Sequence, residues 1–365
     1  MKVLHVISGG ETGGSRKHLI TLLSRFPKQD VSLVVFQEGT ILEEARENGI
    51  DVHLLKQTSR YDLSVLSRYT NFINNGGYEI VHTHGPRANL FTSLIKHKIH
   101  AKWVCTIHSD PALDFVKSGI KGAIFTKLNL FSMKKIDLFF AVSNRFKKNL
   151  MSLGIPEHKI VVIYNGLEFN HHPYHNTLQK EDLNLSSSDF VLTMIARLHP
   201  IKGHEVLFEA LQTLKQKNIK VLLVGDGPIE QELKKAVTEK GLSSTVQFLG
   251  FRKDVDELLS ITDVNLLTSY SESFPLVLLE AAQHKVTCIA TNVGGVADLI
   301  NSPELGWVIP PNNAEALRNA IIEAYELYQK NELSNKGEKL YQRATSHFSL
   351  ESLYKAIRDT YEGLV

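Results

Sequence analysis

The sequence predicts an α/β protein made of two doubly wound, Rossmann-like domains that face each other across a cleft. Three observations lead there. Strand-like and helix-like segments alternate along almost all of the 365 residues, the pattern of a parallel sheet wrapped by crossover helices. Several strand-like runs are apolar almost without interruption, as strands covered on both faces have to be. The alternation then halts once, over residues 165–188, a polar and histidine-rich stretch (NGLEFNHHPYHNTLQKEDLNLSSS) with no sustained period. A chain of this length can bury two cores.

Strands are expected at 3–8, 31–36, 51–55, 80–83, 102–106, 138–142 and 160–163, and again at 190–195, 220–224, 246–249, 264–267, 287–290 and 306–308. Segments with helical periodicity, ten to fifteen residues long, lie between most of them. The first domain then covers residues 1–165, a linker 166–188, and the second domain 189–347. The final segment, 348–365, holds an amphipathic helix over 350–364, capped by Ser349. In such sheets ligands bind beyond the carboxyl ends of the strands. Loops that follow a strand are therefore the places to look for chemistry.

Hydrophobic residues make up 43% and charged residues 22% of the chain, the balance of a soluble globular protein. No apolar run reaches the roughly 20 residues that span a bilayer. The opening Met1 to Ile7 passes straight into a glycine turn and reads as a strand, not a signal peptide. Cys105 and Cys288 both sit in apolar runs, which suits buried thiols in a reducing compartment and a cytoplasmic location. The formal charge of +2 hides an asymmetry. Residues 1–170 carry 22 basic and 14 acidic side chains, and the remainder 19 and 25. Separate domains with different partners would produce that split. Part of the basic excess lies in 115–148, where Lys117, Lys121, Lys127, Lys134, Lys135, Arg145, Lys147 and Lys148 alternate with Phe125, Leu128, Leu130, Phe131 and Met133. Such a surface can lie against an anionic membrane, and a core helix with solvated lysines would show the same pattern. No nucleic-acid motif accompanies the basic residues, so DNA and RNA are not expected partners.

The densest chemistry is in SESFPLVLLE, residues 271–280, after the strand at 264–267. Pro275 suits a first helical turn, where its missing N–H is not needed. Glu272 falls in the loop before that helix, close to the amides of Ser273 and Phe274, and the helix start favours an anionic ligand. Glu280 lies two turns further on, where a buried carboxylate is costly unless it binds something. The two acids could grip two polyols on either side of a phosphate, which fits a nucleotide-sugar. A capping acid and a surface residue would also satisfy the pattern.

Other strand ends add to it. Arg197 and Lys202, in ARLHPIKG, are two cations across a proline turn that could clamp a diphosphate. Gly225 and Gly227 allow a close approach, although a structural turn explains them better, and the backbone of Arg252 could cover a nucleobase. The first strand ends in SGGETGGS, whose glycines let a phosphate near the following helix. The dinucleotide pattern G-x-G-x-x-G is absent there, and the second strand ends in Phe36-Gln37 without an acid for a ribose, which counts against an NAD enzyme. His82, His84 and His108 follow strands but lack the close ligand set of a zinc site. His108 is a candidate sugar contact or proton-handling group. His171, His172 and His175 have partly metal-like spacing in what reads as a connector.

With these residues together, the chain resembles the retaining, family-four glycosyltransferases of the GT-B fold, the group that includes glycogen synthases and phosphatidylinositol mannosyltransferases. The resemblance spans nearly the whole length. It rests on Gly13-Gly14, His108, Tyr164-Asn165-Gly166, Arg197 with Lys202, the loop after Gly250, and Glu272 with Glu280. It implies that Glu272 and the amides of Ser273 and Phe274 hold a donor sugar, Glu280 a ribose, and Arg197 and Lys202 the diphosphate. Gly14, Gly225, Arg252, Pro275 and Leu276 join them on the donor side. Gly13, Ser15, His84 and Asn165 fall on the acceptor side, and Arg197, Lys202, Glu272 and His108 form the catalytic set. The C-terminal helix is expected to cross back to the first domain. The one departure is Ser273, where the family often has Gly. The implied reaction carries a hexose or N-acetylhexosamine from a nucleotide-sugar, UDP-linked above all, to a glycan, lipid-linked or small-molecule acceptor in cell-surface polysaccharide assembly. No metal is implied, and the location is cytoplasmic or peripheral to the membrane's inner face. A nucleotide-sugar 2-epimerase and a non-catalytic nucleotide-sugar-binding subunit are the competing readings.

Overall fold

Seven parallel strands form the first sheet: β1 (Val3–Ile7), β2 (Val31–Val35), β3 (Val52–Leu54), β4 (Ile80–His84), β5 (Lys102–Ile107), β6 (Leu138–Ala141) and β7 (Ile160–Val162). Their order is β3-β2-β1-β4-β5-β6-β7. The direction of winding therefore reverses between β1 and β4, the place where an open α/β sheet leaves a crevice. These coordinates, a computed structural model, describe residues 1–11, 14–59, 62–109, 119–169, 177–216 and 218–365, and at 14, 15, 17, 119–121 and 123–125 the backbone only.

Alternation along β1 explains how this sheet is buried. Val3 and Ile7 join a core with Leu19, Ile80 and Val104 on one face, while Leu4 and Val6 join Val34, Tyr69 and Phe91 on the other. Leu350, Leu353, Ile357 and Tyr361, spaced at three and four residues along the helix Leu350–Glu362, complete the first of these cores. The chain accordingly divides into one unit of Met1–Gly166 with Leu350–Val365 and a second of Leu167–Ser349. Burying each such leucine is worth about 1.5–3 kcal/mol, so the final helix is a structural part of the first unit.

The second unit holds six parallel strands: β8 (Phe190–Ile195), β9 (Ile219–Val224), β10 (Val246–Gly250), β11 (Val264–Leu267), β12 (Thr287–Thr291) and β13 (Gly306–Ile309). Their order is β10-β9-β8-β11-β12-β13, with the reversal between β8 and β11. Phe190, Leu192 and Met194 face one core and Val191 the other. Asp263, just before β11, accepts the Val191 N–H at 2.7 Å and so ties together the beginnings of the two strands at the reversal. Among the described residues no helix is long and apolar enough to cross a membrane. The helix Gly119–Met133 leaves Leu128 and Phe131 exposed beside exposed Lys127, Lys134 and Lys135. Residues 115–118 of the basic stretch and the histidines at 171, 172 and 175 lie outside the described residues.

Candidate functional site

At the reversal of the second sheet, the loops after β8 and β11 are fastened to each other. Lys202 Nζ lies 2.5 Å from Glu272 Oε1, and the same oxygen accepts the Ser269 hydroxyl at 2.6 Å. The backbone joins in. Thr268 Oγ1 donates to the Lys202 carbonyl at 2.9 Å, and the Tyr270 N–H donates to the Ile201 carbonyl at 2.8 Å. Gly203 makes this approach possible: its φ is +68°, and a Cβ there would come within 2.2 Å of the Thr268 carbonyl oxygen. Both partners of the ion pair are largely shielded, with 24% of the Lys202 side chain and 13% of Glu272 exposed. Attraction between them is stronger there than between solvated charges.

The end of β12 and the loop after it support Glu272 from behind. Thr291 Oγ1 donates to the Ser269 carbonyl at 2.6 Å, and the Gly295 N–H donates to the Ser273 carbonyl at 2.8 Å. Gly294 has φ +50°, and a Cβ on it would meet the carbonyl oxygens of Ser273 and Glu272 at 2.3 and 2.4 Å. Phe274 is 4% exposed and stacks on Phe348 at 5.4 Å between ring centroids. Its side chain is thus core, and only its backbone is on offer to a ligand. Pro275 is buried and extended (ψ 108°), standing just before the helix Leu276–Gln283. Leu276 and Glu280 are half-buried on that helix.

The other residues expected on the donor side in this unit follow β8, β9 and β10. Arg197 is exposed, with no ion pair among the described residues. Gly225 uses its freedom on the protein itself: its N–H donates to the Gly250 carbonyl at 2.8 Å, and a Cβ would lie 2.2 Å from the Ala196 carbonyl oxygen. Gly227 is pressed in the same way against Leu198. The Arg252 guanidinium is held in a fork by Asp254, with Nε to Oδ1 at 2.7 Å. Beside it Phe251 is 66% exposed, an aromatic face at a strand end that the sequence reading passed over.

The first unit gathers five histidines. His82 and His84 lie within β4, not after it, and the parallel register sets His5 beside His82. His5 Nδ1 is 3.0 Å from His84 Nε2, and His84 Nδ1 is 3.2 Å from His108 Nε2. His82 Nε2 bonds Thr106 Oγ1 at 2.7 Å, and its Nδ1 bonds the Tyr361 hydroxyl. That hydroxyl also lies 3.4 Å from His5 Nε2. His18, on the helix Gly14–Leu23, puts its ring edge-on to His108. Burial pushes His5 and His108 down to about 3 and His18 to about 4, and it holds His82 and His84 well below the ordinary imidazole value. All five rings are neutral at ordinary pH.

In sequence, His82 and His84 stand with His108 and without a close ligand set. The fold supplies His5 instead, and ligand nitrogens of His5, His82 and His84 lie within 4.8 Å of one another. His84 is 1% exposed, and its Nδ1 bonds His108. The glycine turn after β1 also differs from expectation, because its amides already have an acid. Glu11 accepts from Ser8 N at 3.2 Å and from Gly9 N at 2.8 Å. Gly14 and Ser15 begin the helix that follows, Gly13 lies outside the described residues, and Asn165 is buried near the end of the first unit.

Comparisons with known proteins agree with this fold. Residues 12–171 match the profile of Glycosyltransferase Family 4, and residues 176–344 that of the group 1 glycosyl transferases. The chain is 26% identical over 332 residues to N-acetyl-alpha-D-glucosaminyl L-malate synthase of Bacillus anthracis, covering 84% of this chain and 82% of that protein. It is 26% identical over 313 residues to the Escherichia coli UDP-Gal:alpha-D-GlcNAc-diphosphoundecaprenol alpha-1,3-galactosyltransferase, covering 83% and 79%. Among solved structures, Anabaena HepE in complex with UDP superposes over 100% of both chains with a TM-score of 0.87 at 21% identity.

Proposed function

The chain belongs to the family-four glycosyltransferases of the GT-B fold, and from that premise we propose that it moves a hexose or N-acetylhexosamine from a UDP-sugar with retention of anomeric configuration. The observation that carries this reading is the Lys202–Glu272 pair, 2.5 Å apart at the reversal of the second sheet. A donor bound there meets a carboxylate for its sugar hydroxyls and a cation for its diphosphate. Arg197, exposed nearby in sequence, supplies the second cation. Glu280, two turns along the helix, takes the ribose. Phe251, exposed at the end of β10, offers a face for the base.

The reaction assigned to this site is front-face transfer. The bond between the anomeric carbon and the diphosphate breaks, the acceptor oxygen attacks from the same side, and the departing phosphate oxygen takes the acceptor's proton. Arg197 and Lys202 stabilise the charge that develops on the leaving group, and no metal is assigned to that role. Two similar proteins support the donor and acceptor classes: the Escherichia coli relative is named for UDP-Gal and a diphosphoundecaprenol acceptor, and the Anabaena structure for UDP. The Bacillus relative is named for a malate product, so small acceptors stay within the class. In the first unit, exposed Leu128 and Phe131 among lysines suit an anionic membrane carrying a lipid-linked acceptor.

The test is transfer from a panel of UDP-sugars in the presence of EDTA, with the product's anomeric proton followed by NMR from the first turnovers. An α-linked product from an α-linked donor supports the reading. Inverted product contradicts retention, and loss of transfer in EDTA contradicts metal independence. An epimerised sugar formed from donor alone would move the chain to the epimerase class.

A further inference from the structure

The histidines of the first unit make one continuous hydrogen-bonded series: Thr106, His82, Tyr361, His5, His84 and His108. Each link joins a ring nitrogen to a hydroxyl or to another ring nitrogen. A neutral imidazole has one N–H and one lone pair, so every ring must donate at one end and accept at the other. The buried Tyr361 hydroxyl has one proton, and with that proton given to one of its two ring partners, two arrangements remain. If the Tyr361 hydroxyl donates to His82 Nδ1, it accepts from His5 Nε2. His5 Nδ1 then accepts from His84 Nε2, and His84 Nδ1 accepts from His108 Nε2. All four rings carry hydrogen on Nε2, and Nδ1 of His108 holds a lone pair. If Tyr361 donates to His5 Nε2 instead, every link reverses, all four rings carry hydrogen on Nδ1, and Nδ1 of His108 is a donor.

We propose that this series is a tautomer relay in which Tyr361, on the C-terminal helix, sets whether His108 presents a lone pair or an N–H to the acceptor side of the site. The functional half rests on the assignment of His108 to that site. Tyr361 is a positioning residue: it is wholly buried, and it acts through His5 and His84. Mixed tautomers are disfavoured because they would set two N–H groups, or two lone pairs, face to face across 3.0–3.2 Å, leaving buried polar groups unmatched. The same bonds weigh against a zinc ion on His5, His82 and His84. Both nitrogens of each of these rings already have partners, and no carboxylate is among them to balance a buried dication.

The experiment is a two-bond 1H–15N correlation spectrum of the full chain labelled with 15N-histidine, which reads the tautomer of each ring. His5, His82, His84 and His108 are expected in one common tautomer, and Tyr361→Phe, kept only if it melts cooperatively, is expected to shift the ring nitrogens of His108. Different tautomers at His84 and His108 in the unaltered protein would overturn the relay without any variant. So would stoichiometric zinc in protein purified without chelator, or a His108 spectrum untouched by Tyr361→Phe. A separate assay distinguishes the relay from the site assignment: unchanged transfer by His108→Ala removes His108 from the site while the common tautomer stands.

Discussion

Lys202 and Glu272 meet at 2.5 Å across the reversal of the second sheet, one from the loop after β8 and one from the loop after β11. The pair closes a frame of backbone bonds, so the carboxylate is positioned before any ligand arrives. Replacing Lys202 by alanine leaves the Glu272 carboxylate with the Ser269 hydroxyl as its side-chain partner among the described residues and removes a cation from the site. Turnover is expected to fall about 10²–10³-fold, with Lys202→Arg retaining more activity than the alanine variant. Steady-state kinetics with a UDP-sugar measure this. An unchanged kcat would take Lys202 out of the chemistry.

Gly294 is the point where the loop after β12 touches the backbone of Glu272 and Ser273. Alanine there combines a positive φ of 50° with a Cβ 2.3 Å from a carbonyl oxygen. The loop has to move, at a cost of about 1–3 kcal/mol. Gly294→Ala is expected to lower the melting temperature and the affinity for donor together. Gly154, with nothing within 4 Å of its would-be Cβ but φ +85°, serves as a control for backbone strain alone.

The C-terminal helix contributes to the first core through Leu353, which is 3% exposed. Leu353→Ala is expected to destabilise that unit by about 2–5 kcal/mol. Urea unfolding should show the first unit's transition shifted and the second's little changed. Equal shifts in both would mean that the units do not unfold independently.

Much of this architecture was legible in the sequence. Strands buried on both faces, such as 190–195 and 264–267, are apolar but for Thr193 and Asn265, and every expected strand appears within a residue or two of its place. The loops bearing Arg197, Lys202 and Glu272 followed from those strands. Partnerships were not legible. Lys202 and Glu272 are 70 residues apart, and only the order of β8 and β11 brings them together. His5 sits in the run VLHVI, indistinguishable from core, until the parallel register with β4 sets it beside His82. Phe251 is not legible either, because one aromatic after a strand carries no period.

The buried imidazoles give the first unit an acid limit. Their folded values lie far below 6.5, at about 3 for His5 and about 4 for His18, so the unfolded chain binds more protons below pH 6.5. Stability is full above that pH and declines as the pH falls toward the folded values. At pH 5 each buried ring costs about 2 kcal/mol. Melting curves from pH 7.5 to 4.5 should show a steep loss below about 6.5, shallower in His18→Phe. A flat profile would mean that the rings are not buried and neutral.

Leu128 and Phe131, exposed among lysines, are expected to bind vesicles containing anionic lipid, with binding weakened by salt. Sedimentation of the protein with such vesicles, compared with Phe131→Ser, measures it. Binding that is absent, or equal in the variant, would remove this surface from membrane contact.

The most direct test of the donor site is thermal stabilisation by UDP, GDP and ADP without added metal, in the unaltered chain and in Glu280→Ala. At about 100 times its dissociation constant a nucleotide adds roughly 2.7 kcal/mol. The account predicts a clear shift with UDP, smaller shifts with GDP and ADP, and loss of the UDP shift in Glu280→Ala. No shift with any nucleotide, or a UDP shift that survives in the variant, would contradict it.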